Sequence, residues 1–463
     1  MLVAPPVVRS RRIEKNCILK LAMAMRRRTG LIVVGIVAIL VVALIFVVPA
    51  LINMDRYRPE VISYLQEKTG QQVEIGRLAL TFFPVSIHID NFGVKNPPIF
   101  PPSYVVKAAR IDATLSVGAL LHRQVVIKSL VLEDPVMNLT SDPDGLWNFE
   151  NPQPKVPENT FPLGPISRVE IRRGQLIASN LLPSDAQGPI LFEAHEISSV
   201  LEQVNLAAIT NPSSSSMNGQ GSLKVGLLRF GWVEAKNLES KLRLHARRVY
   251  FTDVKAEVYG GSAAGELSFD LSAENASFET NWRMSGINVA DLLAAFPHGA
   301  GKMTGKMEGD VKLAGKIEHS LRPLAGIHGA GHVTVRNGQV PTLKLNANLM
   351  KLVHFNDLGP AKKDPSSFVL ISTDLELANL RIFSRVIDID GYGVNVDGSG
   401  SVSVSGSDDL NYQGVASIVA KQGFFTNIWA PLSGATLIDG KLSFPFRVGG
   451  TIETPVFSRG KGD

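Results

Sequence analysis

After Gly70 the apolar residues of this chain recur at every second position. Val73 and Ile75 alternate with polar neighbours, as do Val85, Ile87 and Ile89. The pattern returns at Val169 and Ile171, Val333 and Val335, Leu375 and Leu377, Val394 and Val396, and Val402 and Val404. It is longest near the end, where Leu442, Phe444, Phe446 and Val448 keep one register. Side chains of an extended strand point alternately to opposite faces, so such runs build sheets with one apolar and one wet face. Turn dipeptides separate them: Asn337-Gly338, Asp390-Gly391, Asp397-Gly398, Asp439-Gly440 and Gly449-Gly450. Helical pattern is rare, and its clearest internal case is short, Val289 to Phe296. The expected fold is mainly β. A long sheet with one apolar face and few helices to cover it has two ways to hide that face, a second sheet or a ligand.

Ahead of the alternating region, Leu31 to Ile52 carries no charged or amide side chain. About 20 apolar residues at about 1.5 Å each cross a hydrocarbon core of about 30 Å. A cleavable signal would have a core of only about 7–15 residues, so the run reads as an uncleaved transmembrane helix. Arg26, Arg27 and Arg28 abut its N-terminal end and are the topology determinants. By the positive-inside rule residues 1–30 form a basic cytoplasmic tail, and everything from Asn53 onward is exported.

That tail also accounts for the basic pI of 9.1. Up to Gly30 there are eight basic residues and one acidic, about +7 of a total of +5, which leaves about −2 for the rest. A nucleic-acid binder needs its positive charge on the folded part, so nucleic acid is excluded as a partner. The one cysteine, Cys17, lies in the tail, so the exported part has neither disulfides nor thiolate metal sites.

The exported part divides at its Pro-rich stretch. Residues 53–150 begin with a short helix, with Pro59 in its first turn and Gly70 just past its end, and continue as strands. Residues 151–165 read as a linker, and 166–463 as a second β region with a possible loop at 210–221. No fixed-period repeat is visible, which counts against a regular β-helix or propeller. Roughly 400 exported residues would make about 25–30 strands, a ladder at most about 120–140 Å long at about 4.8 Å per strand.

Signals for chemistry are weak throughout. Asp142-Pro143-Asp144-Gly145 resembles the start of a calcium loop but has no Glu at the required spacing. Gly299 to Lys306 lacks the order of a phosphate loop. The nine histidines include no H-E-x-x-H pair, and no G-x-S-x-G is present. No catalytic residue, metal, cofactor or enzymatic activity is expected.

Several passages resemble the AsmA family. Lys68-Thr69-Gly70-Gln71-Gln72-Val73-Glu74-Ile75 is similar to the family's opening of the first strand, and Asp144-Gly145-Leu146-Trp147-Asn148-Phe149 to its "DG-x-x-N-[FW]" element. Ile287 to Leu293 with Gly301 to Gly315, then Gly331 to Gly338, resemble later family passages. So do Gly398 to Tyr412 and Phe446 to Phe457 at the end. The resemblance implies an extended antiparallel sheet curled into an apolar groove, in a protein anchored in the inner membrane of a Gram-negative envelope with its bulk in the periplasm. It implies a role in phospholipid transport or outer-membrane homeostasis, with membrane phospholipids and envelope proteins as partners. A non-carrying assembly factor for outer-membrane proteins or lipopolysaccharide is the alternative. Candidate groove-lining residues are Val73, Ile75, Val85, Ile87, Ile89, Val333, Val335, Leu442, Phe444, Phe446 and Val448.

The topology is directly testable. Alkaline phosphatase fused after Asp463 is expected to be active in a bacterial host, and to lose activity when Arg26, Arg27 and Arg28 are moved to the other end of the apolar run. An inactive fusion on the unaltered chain contradicts the orientation.

Overall fold

The computed structural model describes residues 54–149, 166–181, 187–205, 217–271, 277–316, 326–341, 348–349, 352, 367–403, 409–419, 436–438 and 441–460, apart from isolated positions within them. The expected anchor Leu31–Ile52, its flanking Arg26, Arg27 and Arg28, and the linker 151–165 lie outside the described residues. Among the described residues no helix is long and apolar enough to cross a membrane.

A single 3-10 turn, Met54–Tyr57, leads into helix α1 (Arg58–Thr69). The first strands are β1 (Val73–Phe82), β2 (Val85–Lys95) and β3 (Tyr104–Leu115), followed by helix α2 (Val117–Leu121). Next come β4 (Ile127–Glu133), β5 (Val136–Ser141), β6 (Ile166–Leu181), β7 (Gln187–Asn205), β8 (Asn218–Phe230) and β9 (Val233–His245). β10 (Arg248–Val258), β11 (Gly261–Asp270) and β12 (Ser277–Asn288) precede helix α3 (Val289–Ala294). The remainder is β13 (Lys306–Lys316), β14 (Ile327–Gln339), β15 (Ser367–Ala378), β16 (Arg381–Gly391), β17 (Val394–Ser403), β18 (Leu410–Val419), β19 (Thr436–Ile438), β20 (Lys441–Gly450) and β21 (Pro455–Arg459). β8 starts at Asn218, so the last four residues of the loop expected at 210–221 are strand instead.

All 21 strands among the described residues belong to one curled sheet. Most strands pair with the next in an antiparallel meander; β18, however, pairs with β20, which carries β19 on its other edge, and β5 pairs with β3 rather than with β4. β4 and β5 lie end to end, broken at Asp134 and Pro135, and both run parallel to β6. An all-antiparallel sheet was the expectation. The segment 142–165 between β5 and β6 is long enough to carry the chain back to the same end, which a parallel pairing requires. β4 with β5, and β19 with β21, each share one position, so the sheet is 19 positions wide among the described residues. Its 18 spacings of about 4.8 Å span about 86 Å, shorter than the expected 120–140 Å because the strands are longer and fewer.

The register keeps every apolar side on one face. Leu78 stands opposite Ile89, and that rung continues through Ile111, Leu132, Ile171, Ser199 and Leu223 to Ser240. Leu242, on the same side of β9, starts a second rung through Phe251, Leu267, Thr280, Leu313, Gly329, Leu377, Ile382 and Val402 to Leu410. A third joins Val335, Ile371, Ile389, Val396, Ala416 and Phe444.

What bends this face is a set of residues in the left-handed region inside the strands. Asn91, Arg173, Glu196, Asn237, Asp253 and Asn337 all have φ between 51° and 55°. Each puts two successive side chains on the outer face. Phe251 and Val254, three apart, therefore both point inward. Such bulges strengthen twist and bend the strand. Asn and Asp tolerate this backbone best, and they hold four of the six positions.

Three apolar clusters lie on the inner face. One spans β6 to β12 around Val225, Leu238 and Val254, and one spans β13 to β16 with Val289 and Leu293 of α3. The third spans β16 to β21 around Phe444 and Phe446. Each is built from strands of one stretch of the sheet, with a short helix or loop, and none joins distant strands as two facing sheets would.

The edge at β1 is covered by the segment before it. Leu78 N–H donates to Asp55 Oδ1 at 3.1 Å, Gln66 Nε2 donates to Val73 O at 3.4 Å, and Arg58 donates to Gly76 O. These contacts occupy backbone groups that would otherwise template pairing with another chain.

Aromatic rings lie across inner-face glycines. A Cβ at Gly400 would stand 2.3 Å from Tyr412 Cδ1 and 2.5 Å from Asn411 O. Gly400→Val is expected to destabilise the folded chain by about 1–3 kcal/mol, seen as a lower denaturant midpoint. Gly118→Ala, in α2 where a Cβ meets nothing within 4 Å, serves as the control that should not destabilise.

Candidate functional site

The inner face is the candidate site, and its surroundings differ along the sheet. All eleven lining residues expected from the sequence fall on it, but not in equivalent settings. Leu442, Phe444, Phe446 and Val448 are packed away in the third cluster, with Phe444 3% and Phe446 5% exposed beneath a fully buried Leu349. Arg459 clamps that cover by donating to Leu352 O at 2.9 and 3.0 Å. Val73, Ile75, Val333 and Val335 are likewise buried, whereas Val85, Ile87 and Ile89 are only half-buried.

Beside the buried Val225, Leu238 and Val254 of the first cluster, β8 to β13 also carry half-buried inward side chains. There Leu223, Leu242, Phe251, Leu267, Trp282 and Val311 face inward and are partly exposed, while Lys224, Lys241, Lys255, Glu266, Arg283 and Lys312 face out. Sequence reading missed most of this stretch because bulges interrupt the alternation and because Gly265 and Thr280 occupy inward positions.

The inner face is not wholly apolar. Ser199 Oγ donates to Ser222 O at 3.0 Å and Ser240 Oγ to Lys241 O at 2.8 Å, so both hydroxyls are satisfied within the sheet. Tyr412 OH lies 3.3 Å from Ser384 Oγ, and burial pushes its pKa up, keeping it neutral. Thr373 Oγ1 is buried without a partner among the described residues.

The outer face is charged, and its charges are ordered by the same register. Arg77, Asp90, Arg110, Glu133 and Arg172 face one another in turn across five strands. Arg110 Nε is 2.9 Å from Asp90 Oδ1 and Arg172 Nη1 is 2.8 Å from Glu133 Oε1. Exposed pairs of this kind contribute at most about 1 kcal/mol each, so their role is to keep this face in water.

Three of the histidines on that face meet a carboxylate. His88 Nδ1 lies 2.5 Å from Asp112 Oδ1 with Nε2 3.1 Å from Thr81 Oγ1, and His195 pairs with Glu193. His332 Nδ1 is 2.8 Å from Asp374 Oδ1, and its Nε2 is 3.3 Å from both Ser372 and Thr334 hydroxyls. This Ser–His–Asp order was not visible in the sequence, because Ser372 and Asp374 reach His332 only through strand pairing. It sits on an exposed sheet surface whose N–H groups are engaged in the ladder, so no donor pair is aimed at a developing oxyanion. Among the described residues no group of three or more His, Cys, Asp or Glu is placed to hold a metal ion.

The outer carboxylates predict a pH response. Hydrogen bonds from Lys95 to Glu74, Arg172 to Glu170, His195 to Glu193, Arg229 to Glu234 and Lys224 to Glu239 hold all five below the ordinary Glu value of 4.5. A carboxylate with a depressed folded pKa contributes stability that is present above its unfolded value and lost as pH falls through the folded one. Melting temperature is therefore expected to fall progressively below about pH 4.5, less steeply at high salt. A flat profile from pH 6 to 3 contradicts this assignment.

Comparison with known proteins adds one match. A model of the AsmA family matches residues 23–157, the stretch from just before the apolar run through β5 and into the linker. The similar passages from Ile287 onward lie beyond that match. No curated protein matches the chain.

Proposed function

With AsmA-family sequence at its N-terminal end, we propose that this chain is an inner-membrane-anchored periplasmic protein that shields phospholipid acyl chains in the trough of its curled sheet. It is not an enzyme in this reading, and it needs no cofactor. The observation that carries the proposal is the predominantly apolar inner face that runs from β1 to β20, with no facing sheet among the described residues. Water-exposed, that face would be an aggregation hazard. Acyl chains lying on it would gain about 0.8 kcal/mol per buried CH₂. The half-buried inward side chains of β8 to β13 are where chains enter contact most readily, because packing leaves them partly free. A trough of about 86 Å gives a local carrier, or one segment of a longer path completed by an envelope partner.

The test is bound phospholipid per purified full chain, with folding checked by circular dichroism. Leu267→Asp and Phe251→Asp put an unpaired carboxylate on the inner face, at a cost of several kcal/mol if it stays buried. Both are expected to fold and to lose most bound lipid. Ser262→Asp, on the outer side of the same strand as Leu267, is expected to keep it. Phe444→Asp is expected to unfold its end of the sheet instead, since Phe444 is packed under Leu349. Folded Leu267→Asp and Phe251→Asp proteins with full lipid would exclude the trough reading and favour an assembly factor that carries no lipid.

A further inference from the structure

A second site lies on the opposite face, beside α1. An open pocket of about 470 Å³ is lined by Ile62 of α1, Glu74 of β1, Asn91 and Gly93 of β2, and Tyr104 and Lys107 of β3. That is within the size range of small-ligand sites. Gly93 forms its floor because the Tyr104 ring lies over it; a Cβ there would meet Tyr104 Cε1 at 2.7 Å.

The polar groups of the pocket divide into used and unused. Glu74 is already committed, to Lys95 Nζ at 2.6 Å and to the Tyr104 hydroxyl at 2.7 Å. Lys107 Nζ lies 5.6 Å above the Tyr104 ring and has no carboxylate partner among the described residues. The Asn91 side-chain amide, held outward by its left-handed backbone, makes no hydrogen bond among the described residues. A free cation and a free N–H donor on one wall, with an aromatic ring and an aliphatic side chain opposite, suit an oxyanion with an apolar neighbour. Arg77, also on the outer face and without a carboxylate partner among the described residues, adds positive potential nearby.

Position narrows the source of that oxyanion. Only nine residues separate Ile52, where the apolar run ends, from Ile62 in the pocket wall, a distance of ten Cα steps. Ten such steps reach at most about 35 Å, so the pocket stays close to the bilayer surface if the run is an anchor. We propose that this pocket takes the phosphodiester of a membrane phospholipid headgroup, on Lys107 and Asn91, and so seats the base of the sheet against the bilayer. The inference rests on the anchored topology of the proposed function, not on lipid being carried in the trough.

The experiment uses the full chain in neutral detergent, with native mass spectrometry of retained lipid. Dioleoyl phosphatidylglycerol and dioleoylglycerol differ only in the phosphoryl headgroup and are offered in competition. Wild type is expected to prefer the former by about tenfold, the scale of one charge-assisted hydrogen bond. Lys107→Gln should abolish the preference and Lys107→Arg retain it. Lys107 is exposed, so both variants are expected to fold. Millimolar inorganic phosphate should not displace the lipid; displacement without any lipid preference would make this a free-phosphate site and overturn the headgroup assignment. An unchanged preference in Lys107→Gln, with trough lipid still lost in Leu267→Asp, would overturn this inference alone. If Lys107→Gln abolishes the preference while Leu267→Asp keeps its lipid, the pocket stands and the trough falls.

Discussion

Cross-strand register is the interaction on which the rest of this molecule depends. Each strand hands its apolar side to the next, so that Leu78 on β1 is connected through six facing partners to Ser240 on β9. A slip of one residue at any strand would turn Val, Ile and Leu outward and put Arg, Lys and Glu into the interior. The outer face guards against that slip. Its charges also alternate across strands, as in Arg77, Asp90, Arg110, Glu133 and Arg172, and the pairs form only in the native register. Each pair adds little stability, but a shifted register would lose many at once and bring like charges together.

Curvature follows from the same ladder. Left-handed residues at Asn91, Arg173, Glu196, Asn237, Asp253 and Asn337, several of them at register shifts, bend successive strands without exchanging the faces beyond them. Glycines opposite large rings, such as Gly400 under Tyr412, let the inner side of the bend close up. The sheet can therefore bury much of its apolar face against its own neighbours and leave other inward side chains, such as Leu267 and Trp282, half-buried. Helices contribute at the margins: α1 blocks the β1 edge, and α3 adds Val289 and Leu293 to one cluster.

This geometry explains what the sequence disclosed. Mainly β structure with a single apolar face was legible wherever alternation ran unbroken, as at Leu442 to Val448 in β20. It was illegible wherever a bulge placed two outward residues in a row. In β10 the inward set is Val249, Phe251, Val254, Ala256 and Val258, which no strict period of two collects. Asn237, Asp253 and Asn337 were the available signals, since Asn and Asp accept the left-handed backbone; Arg173 and Glu196 gave none. The same limit shaped the choice of candidate lining residues. The cleanest alternation marks the best-packed strand, with Phe444 and Phe446 under Leu349, whereas the half-open inward residues lie in the broken stretch. The parallel junction of β4 and β5 with β6 was hidden because it depends on where the segment 142–165 returns the chain.

The central claim is that acyl chains lie on the inner face of β8 to β13 and not on the outer face of the same strands. Site-specific photocrosslinking in the intact cell envelope tests it most directly, with p-benzoylphenylalanine placed in turn at Phe251, Leu267 and Val311 and at the outward Lys255, Glu266 and Lys312. The account predicts phospholipid adducts at the first three positions and none at the other three. Adducts on both faces alike, or on neither in a chain that folds, would contradict it.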